Sequence, residues 1–356
     1  MAAGERGEQH RGPSTRAFWV VAVLLVFASS GCDAASSKSA SPSSSPSTTT
    51  PAPSATGPRV IIDTDLSLWW DDATAIGIAN VLQQQGAANV LGIMADVKNP
   101  VAVAAIDAIN PAYGHDDIPL GAVANSKADT FRHGYTDVVT QRLPHSVGGS
   151  DDVPEAVALY RELLGQQPDR SVTIVSLGAY TNLAGLLAAP DGPALVSAKV
   201  KRLVIMDGIF PTGMGPVTNQ KLDLAAARAV IAGGPDAAPW PTPIAWVDGV
   251  PGIGTRVGET LCEKTATDHP MRIVYEALFK CGKVTDGNWD APALLFALGD
   301  IPEVFSVEGR GGAAAINAQG GLSWQPTSSR RDDFYVHLRD QKRLNERIDQ
   351  LLNTPA

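Results

Sequence analysis

The chain has 356 residues, 44% of them apolar, and a formal net charge of −9. Length and apolar content suffice for a sizeable core in one large domain or two small ones. The acidic balance, with no Lys/Arg cluster to meet phosphates, excludes a nucleic-acid surface and favours a small neutral or cationic ligand, or a bound metal.

The N-terminus predicts a targeting segment over residues 1–32. Arg11 and Arg16 precede AFWVVAVLLVFA at 17–28, a run too short to cross a bilayer as a helix and suited to the h-region of a signal peptide. It ends in ASSGC. Small residues directly before Cys32 resemble a bacterial lipobox, whose cysteine becomes lipidated, although Ser29 stands where that box has Leu. Ordinary secretion with cleavage nearby is the alternative. On the first reading the chain is exported and held on the outer face of a bacterial membrane only through a lipid at Cys32. Residues 33–57, DAASSKSASPSSSPSTTTPAPSATG, have almost nothing apolar beyond Ala. Such a segment cannot bury enough surface to offset its ordering entropy and serves as a disordered Ser/Thr/Pro linker. With Cys32 lipidated, Cys262 and Cys281 remain, and in an exported protein a pair is the default. A disulfide closing a loop of about 20 residues would stabilise by about 3 kcal/mol; two free buried thiols are the other possibility.

From residue 58 to 356 short β-branched runs alternate with longer Ala/Leu-rich segments. RVIIDTD is followed by DDATAIGIANVLQQQG, NVLGIMAD by PVAVAAIDAINPAYG, SVTIVSLG by TNLAGLLAA, and KRLVIMDG by LDLAAARAVIAGG before PTPIAWVDG. Strand then helix, repeated, predicts a single α/β domain with an open, mainly parallel sheet flanked by helices. The runs are apolar on both faces, as a covered sheet requires. VHLRDQKRLNERIDQLL, with Leu338, Leu344, Ile348 and Leu351 at helical spacing, predicts a closing helix.

The strand ends carry the functional signal. RVIIDTDLSLWWDDA places Asp63, Asp65, Asp71 and Asp72 within ten positions, and Asp96 and Asp207 also fall at or just past strand termini. In open α/β sheets ligands bind at that edge. Converging carboxylates raise one another's pKa and repel, which a divalent cation would resolve. Oxygen donors without His or Cys point to Ca²⁺ or Mg²⁺ rather than zinc. A blander assignment has Asp71 capping the helix and the other carboxylates accepting backbone amides, which suits one aspartate better than four.

DTDLSLWWDDATA resembles the opening DxDxGxDDxxA signature of the inosine–uridine-preferring nucleoside hydrolase family, in a longer form with Ser67 in place of the glycine and Trp69 in place of an aspartate. YGHDDIPLGA, VTIVSLGAYTNLAGLL, LVIMDG, NQKLDLAAARAVI and NWDAPALLFAL resemble later family segments in the same order, the third of them a MGG strand. The resemblance covers residues 59 to about 300. It implies hydrolysis of the N-glycosidic bond of nucleosides or related N-ribosides, with Ca²⁺ as cofactor. By matching position it makes Asp65, Asp72, Asp290 and the backbone carbonyl of Leu177 the metal ligands and Asp65 the catalytic base. It makes Asp71, Asp96, Asn219 and Trp289 substrate contacts, with Asp96 where the family has Asn, and gives Asp63 a supporting role. A homodimer or homotetramer is compatible with it.

Two departures bear on the substrate. Val217 takes the place of the glutamate that meets the ribose 5′-hydroxyl, and Trp289 that of a histidine able to protonate the leaving base. A non-catalytic calcium- and riboside-binding lipoprotein on the same fold is therefore the alternative. A phosphatase of the haloacid-dehalogenase type would account for DTD but not for Asp71–Asp72 or NWD.

Overall fold

The computed structural model describes residues 56–124, 134–215, 217–234, 238–327 and 332–356, all within a single compact unit. The expected signal peptide, the lipid site at Cys32 and nearly all of the 33–57 linker lie outside the described residues.

Nine strands form one sheet: β1 (Arg59–Thr64), β2 (Asn89–Ala95), β3 (Leu120–Ala122), β4 (Val172–Ser176), β5 (Val200–Met206), β6 (Ile244–Val247), β7 (Phe305–Ile316), β8 (Leu322–Gln325) and β9 (Asp333–Leu338). Their order is β3-β2-β1-β4-β5-β6-β9-β7-β8. β1 to β6 and β9 pair in parallel, while β7 runs antiparallel to both β9 and β8. This is the expected open, mainly parallel sheet. The apolar β-branched runs are buried on both faces: Val60, Ile61, Ile62, Val172, Ile174 and Val175 are all fully inaccessible. The helices Asp71–Gln84, Ala102–Ala112 and Asp290–Leu298 pack in the core cluster that includes Val60 and Ile62. Ala156–Gly165, Thr181–Ala188 and Leu224–Ile231 pack in the one that includes Ile61 and Ile174.

Because β1 leads to β2 and β3 on one side and the chain then returns to lay β4 on the other, strand order reverses between β1 and β4. Loops leaving those two strands diverge, and the crevice between them is the usual ligand site of such sheets. The register is tight there: Asp63 lies opposite Met94 on β2 and opposite Ser176 on β4, and Ser176 opposite Ile205 on β5. Residues just beyond these strands, Asp65, Asp96, Leu177 and Asp207, are thereby gathered along one edge.

The C-terminal expectation needs one correction. Val336, His337 and Leu338 belong to β9, and the closing helix begins at Gln341 and runs to Leu352. Asp340 separates the two: its side chain accepts from the Arg343 amide at the helix N-terminus. Leu344, Ile348 and Leu351 are buried as their spacing predicts, but Leu338 sits in the sheet. Cys262 and Cys281 are bonded, with Cα atoms 5.7 Å apart. They join the short helix Leu261–Lys264 to the end of the helix Pro270–Phe279.

Candidate functional site

Six aspartates converge beyond the strand ends, and each is buried. Asp63, still within β1, accepts a hydrogen bond from the Tyr160 hydroxyl at 2.6 Å and from the Asn182 amide at 3.3 Å. Burial still pushes its pKa up to about 6. Asn182 also donates to the Ala95 carbonyl at 3.2 Å, tying the ends of β1 and β2 together. Asp63 thus ties Tyr160 and Asn182 to the end of β1. Asp65 follows, with Oδ2 lacking any protein partner. Burial first, then the charge of Asp71, raises it to about 7. Asp71 opens the helix Asp71–Gln84 and accepts from the Trp289 backbone amide at 2.9 Å. Burial and the neighbouring Asp72 likewise raise it to about 7.

Asp72 accepts from the Thr64 hydroxyl through Oδ1, and its Oδ2 has no partner. Asp290, the first residue of the helix Asp290–Leu298, leaves Oδ1 unpartnered. Burial, then like charges, drives both well above the usual carboxylate range. Carboxylate oxygens of Asp71, Asp72 and Asp290 come within 4.8 Å of one another, and the charge of Asp65 acts on both Asp72 and Asp290. The helix N-termini bearing Asp71, Asp72 and Asp290 favour negative charge but cannot neutralise four carboxylates. Orphaned oxygens on Asp65, Asp72 and Asp290 in a buried, all-oxygen cluster fit a hard divalent cation.

Asp96, at the end of β2, is fully buried with both carboxylate oxygens unpartnered, and burial, followed by the charge of Asp63, raises its pKa strongly. Close packing at Gly178 makes this possible. A Cβ there would lie 2.6 Å from both the Asp65 Cβ and Asp96 Oδ2, so only glycine lets the chain leaving β4 run this near the carboxylates. Asn219 donates to the carbonyls of Leu177 at 2.9 Å and Met206 at 3.1 Å. Both its N–H donors are engaged, so it can offer a ligand its amide oxygen.

Above this floor lies a cavity of about 390 Å³, lined by Asp65, Asp71, Leu177, Asn219, Trp289 and Asp290 among the residues expected at the site. Asp72 and Asp96 are beneath its surface rather than in its lining. The walls are apolar, with Met206, Ile209, Met214, Val217 and Ile253. Trp289 donates through Nε1 to the Gly249 carbonyl at 3.0 Å. Its ring lies where a Cβ on Gly252 would stand, 2.1 Å away, so glycine is required there as well. Trp69 and Trp70 divide their tasks. Trp69 is 40% exposed at the mouth, while Trp70 is buried edge-on against Tyr275 and Phe279, with ring centroids 5.3 and 5.1 Å away. Among the described residues the lining contains no His, Lys or Arg.

One lining residue was visible in the sequence as a strand-end carboxylate without an assigned role. Asp207 accepts from the Tyr180 hydroxyl and the Gly208 amide, each at 2.6 Å, and burial raises it to about 7.

The model of the family described as inosine-uridine preferring nucleoside hydrolase matches residues 60–275. Among solved structures, an inosine-uridine preferring nucleoside hydrolase from Bacillus anthracis superposes with a TM-score of 0.63 at 17% identity, covering 83% of this chain and 99% of its own. A purine-preferring ribonucleoside hydrolase from Gardnerella vaginalis gives 0.62 at 16%, covering 83% and 98%. A plant nucleoside hydrolase, PpNRh1, gives 0.60 at 17%, covering 84% and 100%. At such identities the likeness is one of fold. No curated protein sequence matches the chain.

Proposed function

The chain belongs to the inosine-uridine preferring nucleoside hydrolase family, and from that premise we propose that it hydrolyses the N-glycosidic bond of nucleosides or related N-ribosides in a calcium-dependent reaction. The observation that carries this reading is the buried carboxylate cluster at the β1–β4 reversal, with unpartnered oxygens on Asp65, Asp72 and Asp290. Asp65, Asp72, Asp290 and the Leu177 carbonyl would hold Ca²⁺. When bound, the ion supplies charge neutralisation, an anchor for sugar hydroxyls and a more acidic water.

The protein groups account for the rest. Asp65, which lines the cavity, takes the proton of the attacking water. Asp71, held by the Trp289 amide, accepts from a ribose hydroxyl, as does the Asn219 oxygen. Bond breaking leaves positive charge on the sugar, and the fixed carboxylates of the floor stabilise it without reorganising. The base departs between indole faces. With no His, Lys or Arg among the described residues of the lining to protonate it, catalysis favours purines, which stack well on Trp289 and Trp69, or substrates with an activated leaving group. Export and anchoring through Cys32 complete the proposal: an extracellular enzyme on a tether.

Val217 and Trp289 favour a second reading, a protein that binds Ca²⁺ and ribosides without turnover. The experiment that separates them is release of base from a nucleoside panel by the purified full chain, with and without Ca²⁺. Calcium-dependent release supports hydrolysis. Saturable riboside binding with no release from any substrate supports the binder.

A further inference from the structure

We infer that Asp207 is a specificity-determining residue whose carboxylate accepts a hydrogen bond from the hydroxymethyl end of the bound sugar. The inference rests on the riboside reading of the site and goes beyond it, because the departures at 207 and 217 then become one exchange. Where the family pattern has a MGG strand this chain has Met206-Asp207-Gly208, and where that pattern has a glutamate it has Val217. Both residues line the same cavity. One carboxylate has left the wall and another has entered it.

The geometry suits the role. Asp207 stands at the end of β5, two strands from Asp65 at the end of β1, with β4 between. Neighbouring strands lie about 4.8 Å apart, so the two carboxylates are separated by roughly 10 Å along the edge. That is about one pentose with a polar contact at each end. The Asn219 side chain bridges the intervening carbonyls of Leu177 and Met206. A sugar whose vicinal hydroxyls sit over the β1–β4 crevice therefore directs its remaining hydroxyl towards β5.

Asp207 is also built to receive a donor. Tyr180, itself wholly buried, and the Gly208 amide grip its two oxygens, one each. A carboxylate offers about four acceptor directions, so capacity remains on the cavity side. Among the described residues no cationic side chain lines the cavity to compensate the burial of this carboxyl. A substrate hydroxyl would supply the missing partner, and a site built to meet a hydroxyl rejects the analogue that lacks it.

The test compares inosine with 5′-deoxyinosine on the full chain in Ca²⁺. Affinity is read from quenching of tryptophan fluorescence and turnover from initial rates, for the unaltered chain, Asp207→Ala and the isosteric Asp207→Asn. The unaltered chain should bind inosine at least about tenfold more tightly, the scale of a hydrogen bond to a charged group. Asp207→Ala should bring the ratio to within about twofold, and Asp207→Asn should fall between. Equal affinities in the unaltered chain, or a ratio that survives in Asp207→Ala, would overturn the inference and leave hydrolysis standing. A hydroxyl preference that depends on Asp207, without release of base, would uphold it while removing the hydrolase reading. Binding of neither nucleoside would remove both.

Discussion

Replacing Ser67 with glycine should stabilise the protein. Ser67 holds φ at +100° and is fully buried, with its hydroxyl lacking a partner. An L residue in that region is strained by about 1–3 kcal/mol, and an unmet buried hydroxyl costs about 1 kcal/mol more. Against this, glycine gives the unfolded chain about 0.4–1 kcal/mol of extra conformational entropy, and the lost side-chain atoms forfeit packing worth about 1 kcal/mol. The net is a gain of about 1–2 kcal/mol. For a domain of this size each kcal/mol moves Tm by roughly 2 °C, so Ser67→Gly should melt about 2–4 °C higher. Scanning calorimetry in EDTA isolates the effect from any metal. An unchanged or lower Tm would refute the reasoning, and would mean that the surrounding loop draws enough from the serine side chain to outweigh its backbone strain.

Three further outcomes are expected. Calcium should raise Tm relative to EDTA, by about 2.7 kcal/mol of added stability at a hundredfold excess over Kd, and Asp290→Asn should remove most of the shift; identical melting curves with and without calcium would contradict the metal assignment. Gly178→Ala should cost about 1–3 kcal/mol and weaken calcium binding, because the new methyl would meet Asp65 and Asp96 at 2.6 Å; a variant with unchanged Tm and calcium affinity would show that this edge yields more easily than its packing implies. Asp207, with its pKa raised to about 7 by burial, binds more protons folded than unfolded, so its contribution is fully present below its ordinary value of 3.8 and is lost as pH rises through about 7. The Tm of Asp207→Asn, measured against that of the unaltered chain, should therefore climb between about pH 4 and 7 and level off above, and a flat difference would speak against the burial effect.

Sequence alone reached the sheet and its acidic edge because both are written in local pattern. Runs such as RVIIDT and VTIVS can be little other than covered strands, and Asp63, Asp65, Asp71 and Asp72 follow the first of them directly. The antiparallel end of the sheet was harder to see. β7 is FSVEGRGGAAAI, with glycines that break the alternation, and β9 abuts a strongly amphipathic helix, so Leu338 fell into the helical spacing although Asp340 interrupts it. Cavity lining is likewise non-local. Nothing in the neighbourhood of Asp207 tells whether it faces solvent, core or ligand; that depends on Tyr180, brought in from another segment of the chain. Trp70 and Trp69 are adjacent in sequence, yet one braces the core against Tyr275 and Phe279 and the other stands at the mouth.

The cavity has a floor and walls of different construction, and they should age differently under mutation. Asp65, Leu177 and Asp207 hang from strands locked in mutual register, so moving one displaces its neighbours. Trp69, Val217 and Ile253 stand on connecting segments and a short helix, where Trp69 and Ile253 face water. A library randomised at the three wall positions should retain mostly folded members with altered substrate range, whereas one randomised at the floor should lose the fold in most of its clones. The division gives this scaffold a way to change what its cavity accepts while keeping the carboxylate floor beneath it.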